Sequence, residues 1–310
     1  MNFSKRTFGP GFFMLCAIFT MLDAGAVATA ATTDGTSGSI TSTESTIKVK
    51  VAPKVALHGE KIRIRGASGS KRHKNVNLLF REAGTRGWSS LKMIASDPKG
   101  LYRTSVKARE SGQFKIRTAP GADSPARALR VRSTLKVKGV NRFVKVGQQL
   151  RIRGVVKPAG KRRIKIVING AGRTIRTQTR PNGGFSAKWR PGSPGNYRVR
   201  VFSAGNEVAI GDSSRRFRVS GLRTAHASYY GPGLYGNGVA CGGTLSPSTM
   251  GVAHKTLPCG TKVTIRYHGR TVKVPVIDRG PYIAGRDYDL TEAVRNRLDF
   301  GGVGTVWVDH

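Results

Sequence analysis

The residues best framed to do chemistry lie towards the C-terminal end of the chain. An apolar run, Val274-Pro275-Val276-Ile277, leads into Asp278 and then into Arg279-Gly280-Pro281, a turn signal. A strand is expected to deliver one carboxylate to a Gly-Pro turn. Such a group can give and take protons. It can also hold an Asx-type turn, or pair with the adjacent Arg279. Upstream, His254 sits beside Ala253 in Gly251-Val252-Ala253-His254-Lys255-Thr256-Leu257-Pro258-Cys259-Gly260-Thr261. There an imidazole can bond a polar partner or simply pack.

Short strands must position these groups. Apolar alternation predicts them at 226–230, 262–267, 271–277 and 304–308. One helix is expected from Thr291 to about Asp299, with Leu290, Val294 and Leu298 as its buried stripe. Asp289 or Thr291 can cap its start, and Gly301 follows its end. Many short strands with one helix suit a small barrel.

The N-terminal end reads differently. Lys5 and Arg6, the apolar stretch from Phe12 to Leu22 and Ala28-Thr29-Ala30 have the layout of a secretory signal over residues 1–30. The apolar stretch is short for a membrane span, so the mature chain is expected to be exported with no stable span. An uncleaved anchor is the alternative. Residues 31–45 are Ser/Thr-rich with no apolar period, which reads as a linker. Removal of the signal takes Cys16 with it and leaves Cys241 and Cys259. An even pair in an exported chain reads as one disulfide, in preference to a metal site with His254 or His226.

Between these ends the chain repeats itself. Ile47-Lys48-Val49 answers Leu135-Lys136-Val137, and Gly59-Glu60-Lys61-Ile62-Arg63-Ile64-Arg65-Gly66 answers Gly147-Gln148-Gln149-Leu150-Arg151-Ile152-Arg153-Gly154, both at an offset of 88 residues. Ser111 to Arg117 answers Pro194 to Arg200 at an offset of 83. Two copies of one module are expected, over 46–133 and 134–221, with a third domain over 222–310. In each copy apolar residues alternate with Arg at period two, so the guanidinium groups face solvent. Six or seven short strands in such a length suit an immunoglobulin-like sandwich, as in the spacer modules of bacterial surface proteins.

The net charge is +38, and residues 224–310 carry only about +3 of it. Such basicity raises nucleic acid as a candidate, and export argues against it. Anionic wall polymers are the expected polyanions, with solubility alone as the plain alternative.

The segments Ser228-Tyr229-Tyr230-Gly231, Ala253 to Thr261, Val276-Ile277-Asp278-Arg279-Gly280-Pro281 and Asp289-Leu290-Thr291, in that order and spacing, resemble the rare-lipoprotein-A-like double-psi β-barrel domain. The resemblance covers about 85 of 310 residues. It implies a small six-stranded double-psi β-barrel with one short helix, so that with the two repeated immunoglobulin-like β-sandwiches the chain is expected to be all-β. It also implies a secreted, wall-associated protein that acts on peptidoglycan glycan strands, without a cofactor or metal.

In the enzymatic members a Glu and an Asp face each other across a groove, with a His nearby. Asp278 matches the Asp and His254 the His, whereas Gly243 stands where the Glu would be. Hydrolysis with two carboxylates is thereby excluded. Lytic transglycosylation, in which the muramic acid 6-hydroxyl attacks its own anomeric carbon, can run on one acid/base, Asp278. The alternative is a non-catalytic glycan-binding or wall-loosening domain of expansin type. Sugar binding favours aromatic platforms, for which Tyr230, Tyr235 and Tyr282 are the candidates, with Arg279 beside them. Adjacent strand residues face opposite ways, so only one of Tyr229 and Tyr230 lines a groove, and the resemblance favours Tyr230. Asp289 reads as a helix cap.

Overall fold

A computed structural model describes residues 46–71, 74–119 and 121–310. The expected signal segment and linker lie outside the described residues. The chain is all-β apart from one short helix. Among the described residues no helix is long and apolar enough to cross a membrane.

The first part contains β1 (Lys48–Ala52), β2 (Val55–Leu57), β3 (Lys61–Ala67), β4 (Asn75–Glu82), β5 (Ser89–Ala95), β6 (Leu101–Lys107), β7 (Gly112–Thr118) and β8 (Arg127–Arg132). A three-stranded sheet, β1-β3-β6, faces a five-stranded one, β2-β8-β7-β4-β5. The alternating Arg and Ile of β3 do what their period requires: Ile62 and Ile64 are fully buried, while Arg63 and Arg65 are exposed.

The second part repeats the plan with β9 (Thr134–Val137), β10 (Phe143–Lys145), β11 (Leu150–Lys157), β12 (Arg163–Asn169), β13 (Arg173–Gln178), β14 (Gly184–Trp189), β15 (Gly195–Ser203) and β16 (Asp212–Ser213). The repeat reaches the register: Val49 lies opposite Gly66 in the first copy, and Val137 opposite Gly154 in the second. Gly is required at both. A Cβ on Gly66 would meet the Lys48 carbonyl oxygen at 1.8 Å and the Tyr102 hydroxyl at 2.4 Å. One on Gly154 would meet the Phe185 ring at 2.5 Å and the Lys136 carbonyl at 2.6 Å.

The strand expected at 226–230 is the end of a much longer one, β17 (Phe217–Tyr230). Its first half pairs with β15 and β10, and its second half with two barrel strands. The expected boundary at 221/222 therefore falls inside a continuous strand. Both partners offer a free edge to the same segment, so the backbone keeps its ladder with no turn between.

The rest comprises β18 (Val252–His254), β19 (Lys262–Tyr267), β20 (Arg270–Asp278), β21 (Tyr288–Thr291), α1 (Glu292–Leu298) and β22 (Gly304–Val308). The pairing order β17-β21-β18-β20-β19-β22 returns to β17 and closes a six-stranded barrel. Its interior is filled by Ala227, Val252, Val274, Val276, Leu290, Val306 and their neighbours. The short strands β18 and β21 carry no long apolar alternation, and sequence periodicity passes over them.

The helix starts one residue later than expected. Thr291 is its N-cap, with no side-chain capping bond, and Asp299 takes the left-handed position at its end (φ 58°). Asp289 is not the cap. It lies in β21, two residues before the N-cap.

Candidate functional site

Asp278 ends β20 at one rim of the barrel. Its Oδ1 accepts the backbone N–H of Ala240 and of Arg279, each at 2.9 Å. The first bond ties the carboxylate to the loop that carries Cys241 and Gly243. That loop is itself held down. Cys241 forms a disulfide with Cys259, its N–H donates to the Ile277 carbonyl at 3.0 Å, and the Gly260 N–H donates to Val276 at 2.8 Å. The disulfide thus clamps two loops on either side of the strand that delivers the acid.

Arg279 does not pair with the carboxylate beside it. Its Nη1 donates to the carbonyls of Leu257 (3.0 Å) and His254 (3.3 Å), and its Nη2 reaches the Cys259 Sγ at 3.3 Å. The guanidinium staples the loop after β18 and leaves the Asp278 side chain to other partners. One of these is Tyr230, at the end of β17. Its hydroxyl is buried without a hydrogen-bond partner of normal geometry. Burial, then the charge and approach of Asp278, then the charge of Asp289 push its pKa up.

Asp289 accepts a hydrogen bond from Ser228 Oγ. Ser228 pairs with Asp289, and Asp289 with Ala253, across neighbouring strands. A bulge between Val252 and Ala253 then brings Ala253 opposite Asp278. Two carboxylates therefore flank one row of the barrel, with Tyr230 under the influence of both. A third, Glu292, opens the helix and accepts the Tyr235 hydroxyl. That bond holds the Tyr235 phenol at about 12, above its ordinary value. The sequence reading passed over Glu292 because nothing in its spacing links it to Tyr235.

His254, at the end of β18, is bonded to its own loop. Its Nδ1 accepts the N–H groups of Leu257 (3.0 Å) and Thr256 (3.1 Å), and its ring rests on Tyr288 with centroids 4.8 Å apart. With Nδ1 as acceptor, the neutral ring carries its proton on Nε2. Burial lowers its pKa, helped by the positive charges of Arg223, Arg279 and His310 against the charge of Asp287. Tyr282 lies at the opposite extreme: 86% exposed, next to Ile283 at 55%, on the loop that follows Asp278. Of the expected site residues, the structure gathers Asp278 and Tyr230, turns Arg279 and His254 to bonds with the loop after β18, and leaves Tyr235 and Tyr282 at the edges.

Comparison with known proteins finds relatives of the barrel segment. Residues 223–310 match the family model described as lytic transglycolase. The endolytic peptidoglycan transglycosylase RlpA of Campylobacter jejuni is 41% identical over 81 residues, 26% of this chain and 30% of that protein. The protein of that name from Yersinia pestis is 34% identical over 132 residues, 41% of this chain and 34% of that protein. The chain thus spans about a third of the length of these curated relatives. Among solved structures, the Streptomyces papain inhibitor is 30% identical, with 28% of this chain and 92% of that one covered at a TM-score of 0.24. The closed six-stranded barrel at the end of this chain is a double-psi β-barrel domain of the lytic transglycolase family.

Proposed function

We propose that the protein is exported and acts on the glycan strands of peptidoglycan as a lytic transglycosylase, with Asp278 as its acid/base. The observation that carries this is the setting of Asp278. Both amide bonds fall on one carboxylate oxygen, and the neighbouring guanidinium is spent on backbone carbonyls. The other oxygen is left for a reacting group. The family match and the curated relatives support the substrate class.

In the proposed reaction Asp278 protonates the glycosidic oxygen as the bond to the anomeric carbon breaks. The 6-hydroxyl of the same muramic acid residue then attacks that carbon, and its proton goes to Asp278. The nucleophile is intramolecular, so positioning supplies much of the rate, and no second carboxylate is needed at Gly243. In this reading the buried Tyr230 hydroxyl donates to Asp278. Tyr282 offers an exposed aromatic face to a sugar ring. His254, through Nδ1, and Arg279 hold the loop that forms one wall.

Gly243 also favours a second reading, a barrel that binds glycan without cleaving it. Digestion of purified sacculi separates the two. Release of 1,6-anhydromuropeptides, abolished in Asp278→Asn, supports the enzyme. Co-sedimentation with no release at any enzyme concentration overturns it in favour of the binder. The domain limits 46–133, 134–221 and 222–310, with immunoglobulin-like modules as spacers, form part of the same proposal.

A further inference from the structure

The sheet β1-β3-β6 turns an unusual outer face to solvent. Lys50 lies opposite Arg65, and Arg65 opposite Arg103. Three cations thus stand in one row across three hydrogen-bonded strands, all exposed. Neighbouring strands are about 4.8 Å apart, and like charges directly opposite one another destabilise a sheet. Lys48 and Arg63 flank the row, and Arg127 closes its side with Nε on the Val49 carbonyl at 3.2 Å. Together they line a furrow of about 1430 Å³. Its one acid, Asp97, spends Oδ1 on the N–H groups of Lys99 and Leu101. Among the described residues none of these cations is in an ion pair; the pairs formed by Lys and Arg use Lys115, Arg117, Arg223 and Arg270.

Part of the arrangement recurs: the Lys50–Arg65 pair has a counterpart, whereas Ser186 stands opposite Arg153 where the first copy has Arg103. In the second copy Lys138 lies beside Arg153, its N–H on the Arg153 carbonyl at 2.8 Å, and Arg151 lies opposite Lys188. All four are exposed. Solubility needs charge but no particular placement, and it is served as well by mixed signs. A like-charge Lys–Arg pair at the same sheet position in both copies, extended to three cations in the first, costs stability that dispersed charge would avoid.

We propose that this face of the first module is a binding site for a linear polymer of phosphodiesters. Guanidinium forks match phosphate oxygens two at a time, and most of the cations here are Arg. A phosphodiester stays ionised at any pH the protein meets. Its flexible chain can follow the pleat, where Arg63 and Arg65 recur about every 6.8 Å along β3. A polyuronate presents its carboxylates on stiff rings and follows such a row less well. The site lies outside the barrel, so it does not depend on the reaction proposed for Asp278.

The test is binding of the full chain to synthetic poly(glycerol phosphate) over a range of salt. Lys50→Ala/Arg65→Ala/Arg103→Ala should weaken binding roughly tenfold or more and reduce the slope of log K against log salt by about 2 to 3. Its melting temperature should hold or rise, because repulsion is relieved. A control with equal charge removed from the barrel, Lys262→Ala/Lys273→Ala/Arg297→Ala, should bind nearly as well as the wild type. Equal losses in both triples would show that only net charge matters, and would overturn the proposal. Polyglucuronate of matched charge bound as tightly, or phosphatidylglycerol vesicles preferred over the polymer, would overturn it too.

Discussion

The Tyr230 hydroxyl is buried beside a carboxylate, yet has no partner of normal geometry. A buried polar group left unpaired costs stability. Tyr230→Phe should therefore leave the melting temperature unchanged, or raise stability by up to about 1 kcal/mol, while sacculus cleavage falls. Equal loss of both would mean that the hydroxyl is structural. His254 makes a prediction in pH. Its folded pKa lies below the ordinary 6.5, so the unfolded chain takes up the proton first. Stability should fall as pH drops from 6.5 towards the folded value and level off below it. Protonation of Nδ1 also breaks the bonds to Thr256 and Leu257. Comparing melting temperatures between pH 7.5 and 5 in wild type and His254→Gln checks this; the variant should lose part of the slope.

At the scale of elements, two loops and one glycine carry most of the risk. Cys241 and Cys259 are 18 residues apart, and closing such a loop is worth ~3 kcal/mol. Cys241→Ser/Cys259→Ser should lower stability by about that amount in chemical denaturation. It should also impair cleavage beyond what lost folding explains, because the clamped loop supplies the Ala240 N–H to Asp278. Gly66→Ala would drive a methyl into the Lys48 carbonyl and displace the Tyr102 hydroxyl, which donates to that same carbonyl at 2.5 Å. A cost of about 1–3 kcal/mol is expected, read as a lower denaturation midpoint with little change in the barrel.

Over the whole molecule, β17 makes the second module and the barrel one piece of sheet. The junction is reinforced by Asp309, which is buried and accepts from Asn196 Nδ2 (2.6 Å) in β15 and from the Thr264 N–H (2.7 Å) in β19. Lys145 over the Trp307 ring and Arg266 over the Phe143 ring add cation–π contacts across it. Burial pulls the Asp309 carboxyl up, but hydrogen bonds from His310, Thr264 and Asn196 more than offset this and hold its pKa below 3.8. Its contribution is therefore complete above pH 3.8 and lost as pH falls through the folded value. Asp309→Asn should flatten the acid limb of the unfolding curve. Asp309→Ala, which leaves Asn196 and Thr264 unpaired, should cost ~2–4 kcal/mol.

The period-two alternation of Ile and Arg, the repeat at a fixed offset and the Gly-Pro turn after Asp278 are local properties, and they determined the strands, the two copies and the rim position of the acid. The helix stripe Val294 and Leu298 was legible for the same reason, and both are fully buried, whereas Leu290, expected in that stripe, is buried in β21 instead. What tertiary structure alone decided is which side chains meet. Tyr235 finds Glu292 across 57 residues and Ser228 finds Asp289 across 61, while Arg279 turns from its own neighbour to carbonyls more than twenty residues upstream. Sequence spacing encodes the face a residue occupies within its own element, whereas barrel closure chooses the strands brought alongside, and that choice is made by the shared core.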